Sequence, residues 1–446
     1  MSGAADDRRR VERVREALPA GGLFHEKTWR VSPQAFRISA DFADELDKLG
    51  YRLSKFVRAC NDLYRLSSDG REPGWVAELL DRGKPRELIE LGRERAFLQD
   101  IPRVIRPDVI LTEDGYTIAE LDSVPGGIGL TAWLGNVYSE LGEDVLGGPD
   151  GMLEGLASIL PGGGDIVVSE EAATYRPEMV YAAERMNAGK GAGEMSGRGI
   201  GWRVVDDSKR SDWQERVYRF FELFDWANVA CADDLAERAR SGDVAVTPPF
   251  KPWLEEKIWF ALFWMKPLED YWRRAVGDRT VTELRKVIPY SWVVDPAPLP
   301  VHAVLPRLEV NSWGEVGQLS QKDRELILKV SGFSETAWGS RGVVMAQDVP
   351  QNEWREALSD ALEHWSDQPH LLQEFHKGRL VEQPWWDDAS DEMSVIKGRV
   401  RLCPYFFLGD ERDRVRCAGA LATICPADKK LLHGMSDAIL VPTSVG

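Results

Sequence analysis

Three stretches of this 446-residue sequence carry residues whose types and spacing could do chemistry. The first is Arg106-Pro107-Asp108, followed twelve positions after Asp108 by Glu120-Leu121-Asp122. Residues 109–112 read as a strand, Glu113-Asp114-Gly115 as a tight turn, and residues 116–121 as the returning strand. Alternation along a strand puts Glu120 and Asp122 on one face, and the antiparallel return brings Asp108 near them. Three carboxylates converging beside an arginine repel one another unless a cation lies between them. Hard oxygen ligands of this kind suit Mg²⁺, which commonly keeps a few carboxylates together with substrate phosphate. Arg106 is placed to take phosphate oxygens in a two-pronged grip. A solvated acidic hairpin is the plainer alternative.

The second stretch follows Lys329, at the end of the apolar run Leu326-Ile327-Leu328. Ser331, Gly332, Ser334, Thr336, Gly339, Ser340, Arg341 and Gly342 come next. Exposed N–H groups and hydroxyls in such a loop can wrap a polyphosphate, with Lys329 as a point charge on it. The spacing is neither GxxxxGK[ST] nor GxGxxG. A mobile surface loop would read the same way. The third stretch is Leu371-Leu372-Gln373-Glu374-Phe375, a strand with a polar end that could read an adenine edge.

The surrounding elements must position these residues. Apolar residues recur at three- and four-residue steps over residues 40–66, which predicts a helix, and residues 8–18 and 75–99 read similarly. Residues 165–169, 177–186 and 202–205 predict a strand–helix–strand unit, with a glycine-rich linker over 187–201. An aromatic helix is expected over residues 254–275 and a strand over 288–294. Residues 326–330, 343–345, 371–375 and 399–408 predict strands, with a helix over 352–364.

With 56 Lys+Arg against 73 Asp+Glu, the net charge is −17, which disfavours nucleic acid as a partner of the surface. No run reaches the ~18 apolar residues that cross a bilayer, so no membrane role is expected. The five cysteines are scattered and include no CxxC. The opening MSGAADDRRR lacks the apolar centre of a secretory signal, and a cytoplasmic location is expected.

Taken in order, the three stretches resemble a circularly permuted ATP-grasp protein of the glutathionylspermidine synthase family. The family pattern Arg-x-Asp, about a dozen residues, then Glu-x-Asn is similar to Arg106-x-Asp108 and Glu120-x-Asp122, with Asp122 in place of the asparagine. The acidic motif precedes the lysine and glycine loop, the reverse of the ordinary ATP-grasp order. The first nucleotide lysine of the family resembles Lys266, with Lys257 and Lys286 as rivals, and the second resembles Lys329.

The resemblance implies a mixed α+β and α/β fold in three consecutive parts. Residues 1–160 would hold a helical part and the magnesium portion, residues 161–253 a small α/β domain preceding the ATP-grasp, and residues 254–446 the nucleotide portion. It implies an ATP- and Mg²⁺-dependent ligase that joins a small-molecule carboxylate to an amine or thiol through an acyl phosphate. Asp108, Glu120 and Asp122 would hold the metal. Lys266, Lys329, Ser331, Gly332, Gly339, Gly342, Gln373, Glu374 and Phe375 would hold the nucleotide. Arg106 and Arg341 would act on the transferring group, with Arg399 and Arg401 as further partners for a substrate carboxylate. Nothing before residue 100 resembles the amidase domain that such synthases often carry. A non-catalytic ATP-binding relative and a phosphotransferase on the same fold are the alternatives.

Overall fold

The structure is a computed structural model that describes residues 2–21, 29–189, 201–300, 302–337, 341–409, 415–430, 432 and 437–446. It divides into two compact units assembled from interleaved segments. The first comprises residues 1–57, 94–250 and 378–446, and the second residues 58–93 and 251–377.

The first unit is built on a seven-stranded sheet. Its order is Phe36–Ile38, Ile439–Val445, Cys417–Pro426, Glu392–Phe407, Val104–Thr112 and Gly115–Asp122. All neighbours along this path are antiparallel except Phe36–Ile38 with Ile439–Val445. The long strand Glu392–Phe407 is shared. Its first half pairs with Leu380–Asp387, and its second half with Val104–Thr112. That second half is buried on both faces except at Arg401, so Val400, Leu402, Tyr405 and Phe406 form the centre of the core. The helices Ile128–Glu140 and Gly151–Ile159 pack on the sheet. Gly155 permits one close contact, because a Cβ there would lie 2.2 Å from the Phe407 ring.

The same unit holds the expected strand–helix–strand element. Gly164–Val168 pairs in parallel with Trp202–Val205 and with Arg216–Phe220, which in turn pairs with Ala245–Thr247. All five residues of Gly164–Val168 are buried, as a central parallel strand requires. Most of the glycine-rich linker over 187–201 lies outside the described residues.

The second unit holds a four-stranded antiparallel sheet ordered Val343–Met345, Leu326–Val330, His370–Glu374 and Ser291–Val293. The helix Gln351–Glu363 lays Trp354, Leu358 and Ala361 into a core with Trp292, Leu326, Leu328 and Leu372. The aromatic helix expected over 254–275 is not one helix. Trp259–Trp264 ends where Met265 turns extended (ψ 124°), and Glu269–Val276 starts after the turn Lys266–Leu268. Pro267 has no N–H to donate to an α-helical ladder, which is why the chain breaks there. Among the described residues no helix is long and apolar enough to cross a membrane.

Candidate functional site

The acidic hairpin forms in the first unit as the sequence predicts. Val104–Thr112 and Gly115–Asp122 pair with Arg106 opposite Asp122 and Asp108 opposite Glu120, and a bulge follows at Asp108/Val109. Arg106, Asp108, Glu120 and Asp122 are therefore brought together. Arg106 Nη2 lies 3.2 Å from Asp108 Oδ1 and 3.0 Å from Asp122 Oδ2. The neighbouring strand adds what local sequence does not show. Arg401, Cys403 and Tyr405 alternate along Glu392–Phe407, and Arg401 Nη1 lies 3.0 Å from Asp108 Oδ2. The Cys403 thiol donates to Asp108 Oδ1 at 3.5 Å, and burial pushes its pKa up to about 11, so it stays protonated. Burial likewise raises the Asp122 carboxyl, with Arg106 pulling the other way.

This arrangement departs from a magnesium cage. Asp108 is gripped by two guanidinium groups and Asp122 by one, and among the described residues no group of three His, Cys, Asp or Glu side chains is set to hold a metal ion. Three polar atoms here are buried and unbonded: Arg106 Nε, Arg401 Nε and the hydroxyl of Tyr218, a fully buried residue on Arg216–Phe220. The electrostatic neighbours of the Tyr218 hydroxyl include Asp122, Tyr405 and Glu178, which places it at the cluster. Leaving a buried donor unsatisfied costs about 1–3 kcal/mol. Two of the three atoms can only donate, so a partner for them has to present hydrogen-bond acceptors.

Beside the cluster, the helix Ile128–Glu140 begins at Gly127 without a capping side chain of its own. Glu178, on the helix Arg176–Gly189, accepts from Gly127 N at 2.7 Å and Leu130 N at 3.0 Å. Burial raises its carboxyl to about 7, against those same N–H groups. The Tyr405 hydroxyl donates to Gly126 O at 2.7 Å. No motif in the sequence marks Glu178; its one signal is an apolar helix entered through Gly126-Gly127 with no Ser, Thr, Asp or Asn to cap it.

In the second unit Lys329 and Gln373 come together. Their strands are neighbours, both side chains are buried, and Lys329 Nζ donates to Gln373 Oε1 at 2.8 Å. Gln373 Nε2 donates on to Ser291 Oγ at 3.3 Å. Glu374, on the opposite face of the strand, is ion-paired with Arg307, whose guanidinium lies 4.3 Å from the Tyr290 ring centroid and 5.0 Å from that of Trp264. Phe375 is half-buried, and its N–H donates to Glu325 O.

Ser331 and Gly332 are buried at the root of the loop, where their donors go to Glu256. Gly342 closes the loop, donating to Thr336 O at 2.7 Å and accepting from Val330 N at 3.1 Å. Arg341 is exposed, and Gly339 lies outside the described residues. Lys266 is 89% exposed and pairs with Glu269, whereas Lys257 donates to Ala337 O within the loop. Lys286 pairs with Glu283 on the surface. Arg399 is buried in the first unit and donates to the carbonyls of Gly378 and Ala427.

No protein-family model matches the chain, and no curated protein sequence matches it. Among solved structures, the chain is similar to a glutathione synthetase-like effector from Globodera pallida in its apo form. Identity is 10%, coverage is 99% of this chain and 96% of that one, and the TM-score is 0.57. It is also matched to a putative γ-glutamylcysteine synthetase from Methylobacillus flagellatus KT, at 11% identity over 86% of this chain and 87% of that one, with a TM-score of 0.39. The first likeness is one of fold: the chain has a glutathione synthetase-like architecture.

Proposed function

We propose that the protein is an ATP-dependent ligase that joins a carboxylate to an amine or thiol through an acyl phosphate. The observation that carries this reading is the pair Arg106 and Arg401. Each holds a different oxygen of Asp108, and each keeps a buried Nε–H unbonded. That is a seat for an oxyanion, and a carboxylate substrate presents one. The glutathione synthetase-like fold is in keeping with it.

The roles follow unit by unit. In the second unit, Lys329 and the loop that follows it take the nucleotide phosphates, with the end of the strand at Gln373, Glu374 and Phe375 beside the base. Lys257 is proposed as the other phosphate lysine in preference to Lys266, because it reaches the loop while Lys266 stands in solvent. In the first unit, Arg106 and Arg401 orient the carboxylate and offset charge on it. A carboxylate oxygen attacks the γ-phosphorus and ADP leaves. The amine nitrogen then attacks the acyl carbon, the carbon–oxygen bond to phosphate breaks, and the amine proton passes to solvent. Such a reaction asks the protein for alignment and charge compensation more than for covalent help. Mg²⁺ is proposed only as the companion of the nucleotide phosphates, with no step assigned to Asp108, Glu120 or Asp122 as its ligands.

The test is ADP release with ATP, MgCl₂ and panels of carboxylates and amines. ADP that appears only when both substrates are present is the expected result, and Arg106→Gln or Arg401→Gln abolishes it. A phosphorylated product that accumulates without amine points to a phosphotransferase. ATP binding with no turnover under any pair points to a non-catalytic binder. Undiminished ADP release in both variants removes the arginine assignment.

A further inference from the structure

Far upstream of Lys329, the segment Arg82-Gly83-Lys84 belongs to the same unit and meets the root of its loop. The Lys84 ammonium donates to one oxygen of Glu256, and the two side chains are 1% and 3% exposed. The other Glu256 oxygen accepts Gly332 N at 2.8 Å and the Ser331 hydroxyl. Ser331 N donates to Pro369 O at 2.9 Å, and its Oγ accepts from Ile258 N at 3.3 Å. Two glycines allow this closeness. A Cβ on Gly332 would lie 1.9 Å from Glu255 O, and one on Gly83, at φ +68°, would lie 1.7 Å from Asp367 O. A shallow recess lined by Arg82, Glu256, Ser331, Phe333 and Gln368 among others opens beside the pair.

Stability does not account for burying these two charges. Desolvation costs several kcal/mol per ion, and an apolar pair of similar volume is often as stable or more so. What an apolar pair cannot do is accept from the N–H of Gly332 and the hydroxyl of Ser331, the first two residues after the lysine strand. Burial pushes the Glu256 carboxyl up, yet Lys84, Ser331 and Gly332 together hold it below its ordinary value, so it stays ionised.

We propose that Lys84 and Glu256 are positioning residues for the nucleotide loop: the buried pair sets the direction in which the chain leaves Lys329, and so the conformation in which residues 331–337 receive phosphate. This rests on the reading of that loop as the nucleotide site. It assigns a role in that site to Lys84, a residue with no motif around it, and gives Gly332 the task of close backbone approach.

The experiment measures Mg-ATP affinity by calorimetry, and amide hydrogen exchange over residues 331–337, in the wild-type chain, Glu256→Gln, Lys84→Arg and the double variant Lys84→Met/Glu256→Met. The double variant keeps the volume apolar, so it folds even where a lone buried charge would not. Expected are ATP binding at least about tenfold weaker in Glu256→Gln and in the double variant, faster exchange at Gly332 in both, and partial recovery in Lys84→Arg. A folded double variant with wild-type exchange and ATP affinity within about twofold of wild type overturns the inference. Failure of the wild-type chain itself to bind Mg-ATP overturns instead the nucleotide reading on which it rests.

Discussion

Lys329 donates to Gln373 across two neighbouring strands, Nζ to Oε1 at 2.8 Å, with both side chains buried in one sheet. The expected phosphate lysine and the expected base-side residue thus form one hydrogen-bonded pair, and Gln373 sets where the ammonium points. Gln373→Leu takes away that acceptor and is expected to cost about 1–3 kcal/mol in urea unfolding. The same variant should shrink the Mg-ATP-induced rise in melting temperature. A full nucleotide shift in a destabilised Gln373→Leu protein would separate the pair from nucleotide binding.

The two candidate lysines differ in surroundings, and their substitutions should differ in effect. Lys266 stands in solvent and pairs with Glu269, an exposed contact of the kind that contributes little. Lys266→Ala is expected to leave both the melting temperature and the ATP shift unchanged. Lys257→Ala removes a donor to Ala337 O inside the loop and is expected to lower ATP affinity. Equal affinity losses in the two variants would return Lys266 to the site.

Gly129 sits in the first turn of Ile128–Glu140, where alanine alone would favour the helix by about 1 kcal/mol. A Cβ there would lie 2.0 Å from the Glu178 carbonyl oxygen, a backbone atom that cannot swing aside. Overpacking of this kind costs about 1–3 kcal/mol. The net expectation for Gly129→Ala is a lower urea midpoint; a higher one would mean that the two helices separate easily.

Glu178 makes stability depend on pH in a definite direction. Burial raises its folded-state carboxyl to about 7 from the ordinary 4.5. Between those two values the folded chain holds a proton that the unfolded chain has released. The contribution is therefore fully present below about pH 4.5, falls as pH rises, and is lost above about 7, a difference on the order of 3 kcal/mol. Glu178→Gln gives up one N–H contact but cannot titrate. In urea unfolding between pH 4.5 and 8, the variant is expected to show a flatter profile than the wild-type chain. Parallel profiles would place the proton elsewhere.

The elements that local pattern specifies are the ones a single reading recovers. An Asp-Gly turn between two β-patterned runs places Arg106, Asp108, Glu120 and Asp122 in one hairpin, and an apolar run ending at Lys329 makes a buried strand. A strand, a helix and a second strand over 164–205 pair in parallel for the same reason. Short-range periodicity and turn chemistry decide these features, and both are written in consecutive residues.

Tertiary structure alone decided the partners. Arg401 meets Asp108 across 293 positions because the long strand Glu392–Phe407 adds its second half to the hairpin, and no local pattern names that neighbour. Lys84 reaches Glu256 because glycines at 83 and 332 let three backbone segments touch. The helix expected through Lys266 breaks at Pro267 and leaves that lysine in solvent. In each case the outcome depends on which surfaces bury each other. That is a property of the whole packed unit, because apolar burial is non-directional and choosing one strand neighbour over another takes the contacts of the finished core.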